Sequence, residues 1–390
     1  MALCLTAWVI AGGYRQRFNA LKSHAFAWSA LALVLVILVG ATYSSGNPED
    51  ISLYIGKYSK LALIPLAITL LQEERWRRYC LHAFALAMGI TLLISTLSLF
   101  IEIPFMKGDS GSLAGNHYVF KDHIAQNLMM AFFVMIMMVK GHAESSNKRR
   151  FIYWGLALLA IINIVAFVHG RTGYLALAAI LAVFICLQIP SRRRWQALIV
   201  LVAATTILLP FAEGFRNRIA LALHELKTHQ PEKSTSIGAR IEMTKISLDL
   251  IQQRPLIGWG TGAYRKHFCE RALTEEMCSI GGYHPHNQFL SFGVQLGLVG
   301  ILAYLAFFAA AVRQTRYYGT TQRTLVFGLL GALLIDSLLH APFFLVGELQ
   351  FFVLMLAVLL APNQRHASQC DKETNQIVSN VTRDRATALL

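Results

Sequence analysis

Two histidines flank a proline at His284-Pro285-His286, and Asn287 follows where a polar stretch gives way to a long apolar run. Histidine is the side chain whose ordinary pKa lies closest to neutrality, so His286 is a candidate general base, with His284 and Asn287 beside it in support. The same residues also make an ordinary helix start, with Asn287 as the cap and the later Gly297 and Gly300 allowing close helix packing. The histidines and the cysteines at 269 and 278 match no standard zinc spacing, so no metal is expected.

Three cations stand where apolar runs meet polar gaps. Arg171 lies in His169-Gly170-Arg171-Thr172-Gly173, a tight turn between two apolar runs. Arg240 falls in the first turn of a helix expected from about Ile237 to Arg254, where Ser236 can cap and Pro255 ends it. Lys60 opens the short apolar run Lys60–Leu71. A guanidinium grips phosphate oxygens with a planar fork, and a helix N-terminus adds favourable partial charge. All three are therefore candidates for holding an anionic group such as a phosphate. The plainer alternatives are snorkelling for Arg171 and Lys60 and a solvated helix face for Arg240. Asp336 and His340, four residues apart, share a helix face near the end of a span, as a functional pair or as a structural bond to a neighbouring helix. The glycines of Gly258-Trp259-Gly260-Thr261-Gly262, Gly258 and Gly260 foremost, form either a backbone nest for phosphate or a simple turn. Cys269 and Cys278 can pair if their loop faces an oxidising compartment.

The elements that must position these residues are membrane helices. Of 390 residues, 55% are hydrophobic and 14% charged, against roughly 25% charged in soluble domains. The mean hydropathy of +0.50 agrees. Runs long enough to cross a bilayer include Ala27–Tyr43, Leu81–Ile101, His123–Val139, Phe151–His169, Thr172–Ile189, Trp195–Phe211, Phe289–Val312 and Phe343–Pro362. Lys60–Leu71 and Leu325–Leu339 are shorter, Met1–Gly12 reads as the end of a helix, and Glu49–Ser59 reads as a mere connection. The fold class expected is an all-α polytopic membrane protein with about eleven or twelve spans.

The net charge of +14 does not point to nucleic acid. The basic residues gather in alternate short gaps, at Arg75–Arg78, Lys148–Arg150, Arg192–Arg194 and Arg313–Arg323, as the positive-inside rule requires of cytoplasmic loops that touch anionic lipid. The long gap Phe211–His286 then falls outside. It contains an amphipathic segment, Phe215–His229, a polar break at Glu232–Ser236 and the helix carrying Arg240. The domain organisation expected is 1–212, N-terminal membrane helices; 213–285, a periplasmic loop with helices; 286–362, C-terminal membrane helices; and 363–390, a disordered cytoplasmic tail.

The order His286-Asn287, nine residues, then Gly297-Leu298-Val299-Gly300 resembles the signature of the O-antigen ligase family. Ser236–Arg240 and Gln253–Gly262 look like the rest of that domain, and one large late loop fits its topology. The resemblance implies a C-type glycosyltransferase-like fold in the inner membrane of a Gram-negative bacterium, with its active site facing the periplasm. It implies an inverting transfer of a glycan from undecaprenyl diphosphate to a hydroxyl of lipid A-core, without cofactor, nucleotide sugar or metal. His286 would be the base, and Arg171 and Arg240, with Lys60 as a further cation, would hold the diphosphate. An O-antigen polymerase uses the same donor but usually has two sizeable outer loops. A solute transporter, a different class, should show repeated halves and acidic residues near the midplane; the sequence shows neither, with Asp336 the main acid within a span.

Overall fold

The computed structural model describes residues 2–22, 24–113, 115–208 and 236–361. The segment Phe215–His229, most of the break Glu232–Ser236 and the tail from Pro362 lie outside the described residues. The helices are α1 (Ala2–Ile10), α2 (Tyr14–Lys22), α3 (Ala25–Thr42), α4 (Pro48–Tyr58), α5 (Leu63–Leu70), α6 (Glu74–Leu97), α7 (His123–Ala143) and α8 (Asn147–Ile162). They continue with α9 (Arg171–Gln188), α10 (Ser191–Leu208), α11 (Ser236–Gln253), α12 (Tyr264–Cys269), α13 (Glu275–Gly281), α14 (Gln288–Gln314), α15 (Thr320–Leu339) and α16 (Val346–Leu360). No strand occurs among the described residues. A backbone in hydrocarbon must satisfy its own hydrogen bonds, which a helix does within one segment.

Among the described residues, eight helical stretches are long and apolar enough to cross a membrane, and α16 is a shorter apolar helix. The chain is an all-α, multi-pass membrane protein. One expectation changes. Glu49–Ser59 does not merely connect: Pro48 opens α4, and a 3-10 turn at Ser59–Ala62 runs it into α5, giving a continuous stretch Pro48–Leu70.

α7 is the central helix. It is 83% buried, whereas the α6 stretch and Asn147–Phe167 are each 22% buried. The outer helices thus leave their apolar side chains to lipid, and α7 packs against α6, α8, α9, α15 and α16. α9 lies along α15 in antiparallel fashion. Gln188 at the end of α9 donates to Thr324 Oγ1 at the start of α15, 2.7 Å away, and Gly331 lets α15 pass close to Ala179 and Val183.

The motif spacing has a mechanical cause. Asn287 Oδ1 caps α14 by accepting from Leu290 N at 3.0 Å. The helix then breaks at Gly297, where φ is 61° and ψ −152°, a combination open essentially to glycine. Pro255 O and Leu256 O enter the break and accept from Leu298 N (2.8 Å) and Val299 N (3.2 Å). The nine residues between cap and break are the helical length that sets His286 beyond this junction.

Gly258, Gly260 and Gly262 all have positive φ, but they do not form a phosphate nest. Trp259 N donates to Val294 O (2.9 Å), Gly260 N to Gln295 O (2.7 Å), Thr261 N to Gly40 O (3.0 Å) and Gly262 N to Gln295 Oε1 (2.8 Å). With these amides engaged, the run braces α3 against α14. A Cβ at Gly260 would fall 2.2 Å from Ser44 Cα, so the backbones can meet only at a glycine.

Candidate active site

The histidine pair sits between α13 and α14. His286 has φ 49°, the one positive value outside glycine among the described residues, at a conformational cost of roughly 1–2 kcal/mol. Its backbone N–H donates to His284 Nδ1 at 3.3 Å, and the ring centroids are 4.4 Å apart. Asn287 Nδ2 donates to Leu338 O at 3.1 Å, tying the start of α14 to the end of α15. His340 follows that end, 5.7 Å from His286 ring to ring.

His340 lies between a guanidinium and a carboxyl group. Its Nε2 lies 3.4 Å from Arg240 Nη2, and its Nδ1 lies 3.2 Å from Asp336 Oδ1. A guanidinium can only donate, so Nε2 accepts and the ring proton sits on Nδ1, facing Asp336. The order Asp336–His340–Arg240 therefore fixes the imidazole tautomer and aims the guanidinium. Asp336 is fully buried, Glu348 on α16 is 2% exposed, and the two carboxyls interact electrostatically. Asp336 Oδ2, Glu348 Oε2 and His286 Nδ1 are buried without a hydrogen-bond partner among the described residues.

Both loop histidines are held neutral. Burial, then His340, Lys57 and Arg240, lowers His284 to about 4. Burial, then His284, Arg240 and His340, lowers His286 to about 3. Each withdraws from charge in an enclosed site already rich in cations.

Arg171 begins α9. Its turn is stapled by Asn127 Nδ2 donating to Val168 O (2.8 Å), and by Asn116, which accepts from His169 N (3.1 Å) and donates to His169 O (3.2 Å). A Cβ at Gly173 would lie 2.6 Å from Asn127, so glycine lets this staple close. A π-helical turn at Asn163–Phe167 leads into it. From the Gln188–Thr324 bond, about 25 Å of helix rise brings α9 back to Arg171 and α15 forward to His340. Arg171 is thus level with the histidine cluster on the helix packed against α15.

The structure gathers His284, His286, Asn287, Arg240, Asp336 and His340 at one end of the bundle. Lys60 is half-buried in the 3-10 turn after α4; the lysine that reaches the histidines is Lys57, 3.3 Å over the Phe344 ring, which itself lies 5.3 Å from His284. Lys57 and Glu348 were missed in the sequence. Lys57 sat in a segment read as a connection, and Glu348 stands alone in an apolar helix. The rule that points to intramembrane acids would have found Glu348. Cys269 and Cys278 form a disulfide that joins α12 to α13.

Fold and site together define a multi-pass helical membrane protein whose titratable groups gather at one mouth. Residues 155–305 match the family model described as O-antigen ligase. That family comprises glycosyltransferase-like enzymes acting on a lipid-linked glycan and a lipid acceptor. The matched stretch holds Arg171, Arg240 and His286; Lys57, Asp336, His340 and Glu348 join them from outside it. An uncharacterized protein of Haemophilus influenzae is 23% identical over 293 residues, covering 72% of this chain and 68% of that protein. A chain in a structure described as "Structural coordination of polymerization and crosslinking by a peptidoglycan synthase complex" is 15% identical, with a TM-score of 0.46, covering 86% of this chain and 95% of that one.

Proposed function

We propose that the protein is an O-antigen ligase: it transfers a glycan en bloc from undecaprenyl diphosphate to a sugar hydroxyl of lipid A-core, at the periplasmic face of the inner membrane. The observation that carries this reading is the convergence of His286 with the Arg240–His340–Asp336 chain at one end of a membrane bundle.

A hydroxyl is a poor nucleophile until its proton leaves. In the proposed step His286 accepts that proton and the acceptor oxygen bonds to the anomeric carbon. The bond from that carbon to the diphosphate oxygen breaks, and its electron pair departs with the lipid diphosphate. Direct displacement inverts the anomeric configuration. Arg240 and Arg171 hold the diphosphate and meet the charge that develops on it. His340 and Asp336 position Arg240 rather than touching substrate.

The low proton affinity of His286 fits this sequence. Burial is the largest cause of that low affinity and the Arg240 charge adds to it; a diphosphate seated on Arg240 offsets the charge, so the ring gains basicity as donor binds. The base becomes competent once the donor is in place.

The test is reconstitution in proteoliposomes with lipid-linked O-antigen and rough lipopolysaccharide, followed by analysis of product size. A ligase adds each donor glycan once, as a block. A donor that itself lengthens would overturn ligation in favour of polymerisation. Solute flux with no glycan product would overturn both.

A further inference from the structure

Resting on the ligase reading, the arrangement on the other side of the histidines carries one more step. α4 runs beside the loop unit. Its buried Asp50 meets Arg265 Nη1 at 3.5 Å, and its Tyr54 hydroxyl donates to Tyr283 O. One turn further on, the Lys57 ammonium lies over the Phe344 ring, so Lys57 and His284 flank the same aromatic. Arg265 lies 4.5 Å over the Tyr283 ring and is answered by Asp50. Lys57 and its charged neighbour Lys60 have no ion-pair partner among the described residues.

The order of charges matters. Lys57 and His284 share the Phe344 ring, His284 lies 4.4 Å from His286 ring to ring, His286 lies 5.7 Å from His340, and His340 lies 3.4 Å from Arg240. The row is therefore Lys57, His284, His286 with His340, then Arg240. In a direct displacement the attacking oxygen and the leaving diphosphate stand on opposite sides of the anomeric carbon. With the diphosphate at Arg240, the acceptor approaches from the Lys57 side.

We infer that Lys57, supported by Lys60, anchors the acceptor through an anionic substituent, a phosphate or carboxylate, on the sugar chain that receives the glycan. The aromatic face beneath the ammonium lowers its hydration without supplying a counter-charge. An incoming anion provides that counter-charge and brings a nearby hydroxyl toward His286.

The experiment compares wild type with Lys57→Gln in proteoliposomes. The acceptors are rough lipopolysaccharide carrying core phosphates and the same material after phosphatase treatment. Binding of each acceptor to the solubilised proteins is measured in parallel without donor. Wild type should favour the phosphorylated acceptor in KM and in binding by about tenfold, and Lys57→Gln should erase that preference. The penalty should fall on the acceptor KM rather than the donor KM. Lys57→Arg, which keeps the charge, should restore most of the preference and exclude a folding defect. A variant that keeps the preference, or one whose loss falls on the donor KM, overturns the anchor and leaves the ligase reading intact. Wild type that transfers glycan to neither acceptor overturns the ligase reading, and the anchor with it.

Discussion

The two ends of the helix bundle treat their buried ionisable groups in different ways. Away from the histidines, the last turn of α16 presents carbonyls that no residue of its own helix can reach. Arg77 Nη1 donates to Ala361 O (3.0 Å), and Tyr318 donates to Leu360 O (2.6 Å). His24 Nε2 lies 2.8 Å from the same Leu360 oxygen, and Gln322 donates to Leu359 O. At the histidine end, His286 Nδ1, Gln288 Nε2, Asp336 Oδ2 and Glu348 Oε2 are buried with no partner among the described residues. Native proteins rarely leave such groups unsatisfied, because each costs about 1–3 kcal/mol. Gln72 Nε2 is unpaired at the first end too, but the ionisable groups there, Arg77, Tyr318 and His24, are spent on the carbonyls of α16; the second end keeps ionisable groups in reserve for something that arrives.

Replacing one residue at each end should separate those purposes, and the largest effect is expected at the histidines. His286→Ala should cut glycan transfer by about 10²–10⁴-fold, while the protein still inserts in the membrane and keeps its thermal midpoint. Arg77→Ala should do the reverse. It removes the guanidinium donor from Ala361 O and leaves only the longer Tyr318 contact there (3.4 Å), costing about 1–3 kcal/mol of stability read by thermal unfolding in detergent, with transfer by the folded fraction retained. Full transfer by His286→Ala would remove the base from the mechanism. A stable Arg77→Ala would mean that water already serves that helix end.

Some of this division was legible in the sequence. The cap Asn287, the glycine break and the nine-residue gap between them were visible, because one helix carries all three. Asp336 and His340 were visible as a pair for the same reason, being one turn apart. What escaped depends on chain segments meeting from afar. Glu49–Ser59 is too polar to read as a span, yet it forms the helix that delivers Lys57 to Phe344. Glu348 gains its meaning only when α16 packs on α15 and sets it against Asp336. The glycine run shows the converse: its pattern suited phosphate, but its amides are taken by α3 and α14, and no local pattern records where a loop's amides go.

The break at Gly297 joins the loop unit to the catalytic end, and its disruption should cost less than loss of the base. Gly297→Ala must hold a side chain at φ 61° and place Cβ 2.5 Å from Leu256 O. Strain and contact together should cost about 2–3 kcal/mol. Thermal unfolding and a transfer assay on one sample check whether junction and site fail together. Loss of stability with undiminished transfer would show that His286 keeps its place without the junction.

The smallest expected effect is a displacement in pH dependence, and it tests whether the cations at this end are in reserve for an anion. In the free enzyme His286 is held near 3 and His284 near 4. The unfolded chain, with ordinary histidines near 6.5, therefore binds more protons between about pH 6.5 and pH 3. The histidine contribution to stability is fully present above pH 6.5 and diminishes as pH falls through that window. Activity should divide by enzyme state. The acidic limb of kcat/KM, which reports free enzyme, should lie well below 6.5. The limb of kcat, which reports the donor-loaded complex, should lie at higher pH, because the diphosphate offsets the charge on Arg240. Profiles measured at saturating and at limiting donor separate the two. Coincident limbs near 6.5 would mean that the free site does not hold His286 neutral, and that donor charge is not what makes it a base.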